Sequence, residues 1–60
     1  MSKAVDKVRT SIILRRLSRI RDVLQGFVYD LEEMHETEAS GYLDSAVGYI
    51  DEAIEQLEGG

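Results

Sequence analysis

The chain has 60 residues, with seven Lys or Arg, twelve Asp or Glu, a net charge of −5, one His, no Cys, no Pro and no Trp. This length allows one small domain, and the absence of Cys excludes disulfide scaffolds, thiolate metal sites and cysteine nucleophiles. No apolar run approaches the roughly 18 residues of a membrane span, and the first residues lack a signal-peptide pattern, so we expect a cytoplasmic protein. Apolar burial barely offsets the ordering cost of so short a chain, which makes self-association the expected source of extra stability.

Charge is strongly segregated along the chain. All seven cations lie within the first 21 residues, where Asp6 is the only acid, and the remaining residues carry eleven acids and no Lys or Arg. This pattern is typical of two faces that neutralise each other in a hairpin or antiparallel dimer, or of one end that binds a charged partner.

The first predicted element is a helix over about residues 3–36. Its apolar residues recur in alternating steps of four and three, the spacing of a helical packing seam. Every residue of this seam is large: Ile13, Leu17, Ile20, Leu24, Phe27, Leu31 and Met34. Three earlier apolar residues keep a helical spacing but lie one position out of phase: Val5, Val8 and Ile12.

A turn is predicted near residues 36–40, because the seam slips by five residues between Met34 and Ala39. Thr37 or Ser40 is the expected helix N-cap, since hydroxyl side chains accept hydrogen bonds from free amide groups there. The alternative is one unbroken helical rod, because no Gly or Pro forces a break.

The second predicted helix covers about residues 39–58 and has a seam of alternating size. Alanine fills one seam position in three successive heptads, and a large aliphatic residue fills the other: Ala39, Leu43, Ala46, Ile50, Ala53 and Leu57. Large residues of the first helix would face these alanines with complementary volumes. The sequence therefore predicts an all-α helical hairpin.

The hairpin is predicted to self-associate into an antiparallel four-helix-type bundle, as a homodimer at least. About 15 residues of the longer helix would overhang the shorter one, and the apolar face spans about three positions in seven, a width that suits a bundle. The predicted oligomer core comprises Val5, Val8, Ile12, Ile13, Leu17, Ile20, Leu24, Phe27, Leu31, Leu43, Ala46, Ile50, Ala53 and Leu57.

A stripe of small residues beside two tyrosines is the first candidate binding surface. It lies on the second helix, away from the seam, and tyrosine is a typical anchor of protein interfaces. Tyr29 falls on the outer side of the first helix and either joins this surface or is simply exposed. The candidate protein-interaction residues are Gly41, Tyr42, Ser45, Gly48, Tyr49 and Tyr29.

A cluster of four arginines within seven residues is the second candidate. Such a density of guanidinium groups can bind phosphates, although no interleaved aromatic residue offers a platform for base stacking. The alternative is pairing with acids that a hairpin brings close: Asp51, Glu52, Glu55 and Glu58. The four arginines are Arg15, Arg16, Arg19 and Arg21.

Catalysis and metal binding have little support in the sequence. Glu32 and His35 have the Glu-x-x-His spacing of di-iron bundles, but both flank the seam, and the second helix offers no inward Glu. The one His lies near the predicted turn, and no serine has a base held beside it. We therefore expect no enzymatic activity, no cofactor and no metal.

The layout of about 60 residues as a dimerising helical hairpin is similar to that of the Rop-type RNA-binding regulators of plasmids. This resemblance is one of architecture without a residue-level match, so it assigns no site. Small acidic helical proteins are also similar in kind to phage-encoded inhibitors, some of which mimic nucleic-acid charge. The expected function is binding to a macromolecular partner as an interaction or inhibitory module, with a nucleic-acid regulator or an acidic inhibitor as alternatives.

Overall fold

The fold is a hairpin of two helices. The structure, a computed structural model, describes the backbone of residues 3–59 and the side chains of residues 6–59. Helix α1 (Lys3–Glu33) and helix α2 (Thr37–Gly59) pack side by side, and the hairpin measures 49 by 15 by 14 Å between Cα atoms. The predicted all-α helical hairpin is confirmed, and an unbroken rod is excluded.

The connection between the helices is a Schellman turn, which ends α1 in the left-handed conformation. His35 adopts a φ of 62°, and its amide donates to the carbonyl of Glu32 at 3.0 Å, while the amide of Glu36 donates to the carbonyl of Leu31 at 2.8 Å. This pair of bonds satisfies carbonyl groups that the helix end leaves free. The turn therefore occupies residues 34–36, earlier than the predicted range of 36–40. The sequence does not mark this position, because His35 and not a glycine takes the left-handed conformation.

Helix α2 begins without the predicted hydroxyl cap. The amide of Ser40 donates to the carbonyl of Glu36 at 3.0 Å, so the first helical hydrogen bond starts one residue before Thr37. The Ser40 hydroxyl donates to the carbonyl of Thr37 at 3.1 Å and is buried. Neither hydroxyl is described as accepting a hydrogen bond from an amide, and Ser40 instead packs against α1 as a small polar residue.

The two helices meet along a heptad stripe, here called the hairpin seam. Val28 of α1 and Val47 of α2 are its most buried apolar residues, 2% and 4% exposed. The other apolar seam residues are half-buried, as expected when two helices form a single layer with no second layer packed on it. The hairpin seam consists of Leu14, Leu17, Arg21, Leu24, Val28 and Leu31 from α1, with Ser40, Leu43, Val47, Ile50 and Ile54 from α2.

The hairpin seam is rotated by about one position from the predicted seam. Leu17, Leu24 and Leu31 belong to both the predicted seam and the hairpin seam. The other residues of the predicted α1 seam, and the alanines of α2, lie beside the contact between the helices. The large residues of α1 therefore do not face the alanine row within one hairpin. The physical reason is that each helix is apolar over more than one stripe, and one neighbouring helix covers only one of them.

Arg21 and Asp51 join the helices at the level of the third turn from the end of α2. The Arg21 guanidinium donates from Nε to the Asp51 carboxylate, and Nη1 lies 3.3 Å from the carboxylate of Asp22. The hydrogen bond to Asp51, followed by the charge of that carboxylate, raises the pKa of Arg21 above its usual value. This pair fixes which turns of α1 lie level with which turns of α2.

Candidate functional site

The hairpin leaves one long apolar side uncovered, here called the open face. One row consists of large residues of α1 and the turn that follows it, of which Phe27 is 50% exposed and Met34 is 65% exposed. Its α2 row consists of alanines, two exposed and one half-buried. The open face comprises Ile13, Ile20 and Phe27 from α1, Met34 from the turn that follows, and Ala39, Ala46 and Ala53 from α2.

Both rows of the open face lie on the same side of the hairpin. Each of its helical residues directly precedes a residue of the hairpin seam in the chain, as Phe27 precedes Val28 and Ala46 precedes Val47. Successive residues in a helix are rotated by about 100°, and in two antiparallel helices this rotation carries the preceding residues to the same side of the seam. The open face is therefore a single surface with a ridge of large residues beside a shelf of alanines.

The helix register pairs a large residue with an alanine at each level of the open face. Counting in opposite directions from Arg21 and Asp51 brings Ile20 to within one residue, about 1.5 Å, of the level of Ala53. The same count brings Phe27 to within one residue of the level of Ala46. Met34 and Ala39 follow at the turn. At each level of the open face, a large side chain therefore lies beside an alanine of α2, and this pairing repeats along the length of the face.

The predicted groove of small residues lies on the outer side of α2. Tyr42 and Tyr49 beside it are 76% and 72% exposed. A Cβ added at Gly41 or Gly48 would meet no atom within 4 Å, so the groove is open, and Ser45 between them is exposed. Tyr29, also exposed, lies on the outer side of α1, and the structure does not bring it to this groove.

The arginine cluster is split by the fold. Arg21 turns toward α2 and pairs with Asp51, as the pairing alternative predicts, whereas Arg15, Arg16 and Arg19 remain exposed. Within the part of the chain that the structure describes, ion pairs involve only Arg21 among these cations. The remaining three line an open depression together with Ser18 and Asp22.

The Glu-x-x-His pair lies at the turn and not in a core. Glu32 and His35 are exposed, and the amide of His35 is used in the turn described above. Among residues 6–59, no three His, Asp or Glu side chains are grouped closely enough to hold a metal ion.

The predicted oligomer core divides into covered and uncovered residues in the single hairpin. Leu17, Leu24, Leu31, Leu43 and Ile50 are half-buried along the hairpin seam. Ile12, Val8 and Leu57 are exposed, and the side chain of Val5 lies outside the described residues. Val28 and Val47 were not predicted for the core; the stripe that contains them is recognisable in the sequence only if Arg21 and Ser40 are accepted as seam residues.

No protein-family model, curated protein or solved structure matches this chain. Neither described helix combines the length and the apolar character that crossing a membrane requires.

Proposed function

We propose that this chain is a non-enzymatic protein that self-associates into a four-helix bundle and acts by binding a macromolecular partner, in the first place another protein. The open face carries the proposal. Its large side chains remain substantially exposed in a hairpin whose described residues bury only Val28 and Val47 among apolar side chains. A contiguous apolar surface of this kind marks a protein contact.

Self-association is the first part of the proposal. A homodimer through the open face would cover this surface and also the half-buried leucines beside it. The resulting bundle would have the three-in-seven apolar width on each helix that the sequence shows. Sedimentation equilibrium of the wild-type protein at micromolar concentration is expected to give twice the chain mass.

The matched variants are Phe27→Asp and Tyr29→Asp, which place the same charge on opposite sides of α1. Phe27→Asp buries a carboxylate in the proposed interface and is expected to yield a monomer. Tyr29→Asp lies away from the open face and is expected to remain dimeric. A wild-type monomer, or equal masses for the two variants, would overturn the assembly.

Partner binding is the second part, and the groove of Gly41, Ser45 and Gly48 beside Tyr42 and Tyr49 supports it. Two glycines within a helix weaken it by up to about 1 kcal/mol each relative to alanine, and here they keep the helix surface flat beside two exposed rings. A docked protein segment would fill the groove and contact the outer edges of the two rings.

Tagged wild-type protein, Gly48→Arg and Gly26→Arg would be used for capture from nuclease-treated lysate. Both substitutions add the same side chain to an open helix surface, but only Gly48 lies in the groove. A protein captured by the wild type and by Gly26→Arg, and lost with Gly48→Arg, supports the groove. Equal capture by all three contradicts it.

Nucleic-acid binding is the second candidate function, and the free arginines support it. Arg15, Arg16 and Arg19 surround an open depression without acidic partners from α2 among the described residues. Arg15→Gln with Arg19→Gln is expected to lower RNA or DNA affinity and reduce its dependence on salt, because fewer phosphate counterions are released. Lys7→Gln with Arg9→Gln is the charge-matched control, and equal losses in the two double variants would contradict this assignment.

A further inference from the structure

We infer that the second copy of this chain packs on the open face with its turn at the same end as the first, so that α1 of each copy lies over α2 of the other. The inference rests on the proposed self-association. It adds the orientation of the two copies and the residues that meet between them.

Two twofold arrangements are possible for hairpins that share one face. With the axis parallel to the helices, the turns lie at the same end, and each α1 crosses over the partner's α2. With the axis across the helices, the turns lie at opposite ends, α1 lies over α1, and α2 lies over α2. Every neighbouring helix pair is antiparallel in both, so helix direction alone does not choose between them.

Side-chain size favours the arrangement with the turns together. A twofold axis along the helices keeps each residue at its own level, so the alanines level with each large residue become its contacts in the second copy. Phe27 then packs on Ala46 of the second copy, and Ile20 packs on Ala53. The other arrangement sets ridge against ridge and alanine shelf against alanine shelf, which leaves one helix pair crowded and the other underpacked.

Helix charge favours the same arrangement. Helix α2 carries six acids and no Lys or Arg, so α2 over α2 would place two acidic helices side by side. With the turns together, the arginines at positions 15–21 of α1 instead lie beside the acidic last half of the second copy's α2. Opposite charges across an interface favour the correct register, and like charges disfavour the wrong one.

The edge of the open face agrees with this register. Val23, 51% exposed on α1, comes level with Tyr49 of the second copy. One heptad toward the turn, Asp30 comes level with Tyr42, whose hydroxyl can donate to a carboxylate. One heptad in the other direction, Arg16 comes level with Gln56. The rim thus pairs apolar with apolar residues and donors with acceptors.

The size of the surface fits a stable dimer. The open face runs from Ile13 to Met34, about 32 Å of helix, and the hairpin is 15 Å wide between Cα atoms. This amounts to about 480 Å² on each copy and about 1,000 Å² for the pair, the size at which a specific interface begins. Leu17, Leu24, Leu31, Leu43 and Ile50, half-buried in one hairpin, would lie between the two layers. They would form the central core of the bundle.

The test uses spin labels on single cysteines, which is straightforward because the chain has no Cys. Glu36→Cys places a label in the turn, and Ser45→Cys places one near the middle of α2 on its outer side. With the turns together, we expect both labels to report a distance between copies of about 20 Å, roughly two interhelix spacings. With the turns at opposite ends, the two Glu36→Cys labels are expected to lie about 34 Å or more apart, because the 23-residue length of α2 separates the two turns.

The Ser45→Cys label is the control, because the middle of α2 lies near the middle of the second copy in either arrangement. Short distances at both positions support the inference. A short distance at Ser45→Cys with a long one at Glu36→Cys overturns the orientation and leaves the dimer standing. Absence of any distance between copies, with a monomeric mass, overturns both the orientation and the proposed self-association.

Discussion

The Arg21 guanidinium donates to the Asp51 carboxylate across the hairpin, joining residues thirty positions apart in the chain. Arg21 occupies a seam position between Leu17 and Leu24, where an apolar residue would otherwise be expected. A polar residue at one seam position is a device that specifies register. The pair therefore determines which residues of the open face lie level with each other.

Asp51→Asn is expected to lower the stability of the hairpin only slightly, because both side chains of the pair are partly exposed and water screens their attraction. The loss should shrink as salt is raised. Urea unfolding followed by circular dichroism at low and high salt measures it. Glu52→Gln is the control, since Glu52 has no described ion pair, and equal losses in the two variants would show that only net charge matters.

This pair is expected to respond to salt and not to alkaline pH. Its hydrogen bond raises the pKa of Arg21 above the usual value. A group whose pKa is higher in the folded state than in the unfolded state stabilises the fold fully at any pH below its unfolded-state pKa. That stabilisation is lost only as the pH rises through the folded-state pKa. Arg21 therefore remains protonated between pH 6 and pH 10, and the effect of Asp51→Asn should be constant there. A change in that effect across this window would contradict the assignment.

His35→Gly is expected to stabilise the hairpin by about 1 kcal/mol. A left-handed backbone costs a residue with a side chain roughly 1–2 kcal/mol, and glycine avoids that cost. His35→Ala keeps the cost and is the matched control. Thermal unfolding should rank Gly above His and Ala, and equal midpoints for Gly and Ala would show that the φ of 62° at this position carries no strain.

Gly26→Ala and Gly48→Ala are each expected to raise helix stability by about 0.5–1 kcal/mol. A Cβ at either position meets no atom within 4 Å, so no steric term opposes the gain. Urea unfolding in the Phe27→Asp background, which is expected to be monomeric, measures it apart from assembly. Stabilisation by Gly26→Ala without stabilisation by Gly48→Ala would contradict the prediction at Gly48 and show that this glycine does not weaken α2.

Complementary variants provide a second test of how the copies pack. Phe27→Ala leaves a gap on α1, and Ala46→Phe adds bulk on α2, so each variant alone should dimerise at least tenfold more weakly than the wild type. In a mixture, the phenylalanine of one variant fills the gap of the other. The heterodimer should therefore form in preference to either homodimer, and native mass spectrometry counts the three species.

The mixed dimer depends on α1 lying over α2 of the other copy. If α1 lay over α1, the gap and the added ring would belong to different helix contacts, and mixing would produce no preference. A statistical distribution of the three species therefore contradicts the packing of Phe27 on Ala46 of the second copy. The wild-type chain mixed with a mass-tagged wild-type chain provides the reference distribution.

The helical character and two-element layout follow from local sequence. No Pro interrupts the chain, good helix formers dominate it, and the five-residue slip between Met34 and Ala39 marks the break between two periodic stripes. Periodicity of this kind depends only on neighbours along one helix, so it is readable without tertiary contacts. The exact turn was not readable, because the left-handed conformation of His35 depends on hydrogen bonds that α1 closes around it.

The choice between two apolar stripes required the tertiary structure. Each helix has a central row of leucine or isoleucine with a further apolar row on each side of it. Each of the two possible seams combines the central row with one of the flanking rows, so both seams contain residues such as Leu24 and Leu43. The contact between α1 and α2 selected the row of Val28 and Val47, together with the pair of Arg21 and Asp51, because antiparallel packing of these helices aligns them. The row of Phe27 and Ala46 was thereby left on the surface, since one neighbouring helix can cover only one side of a helix.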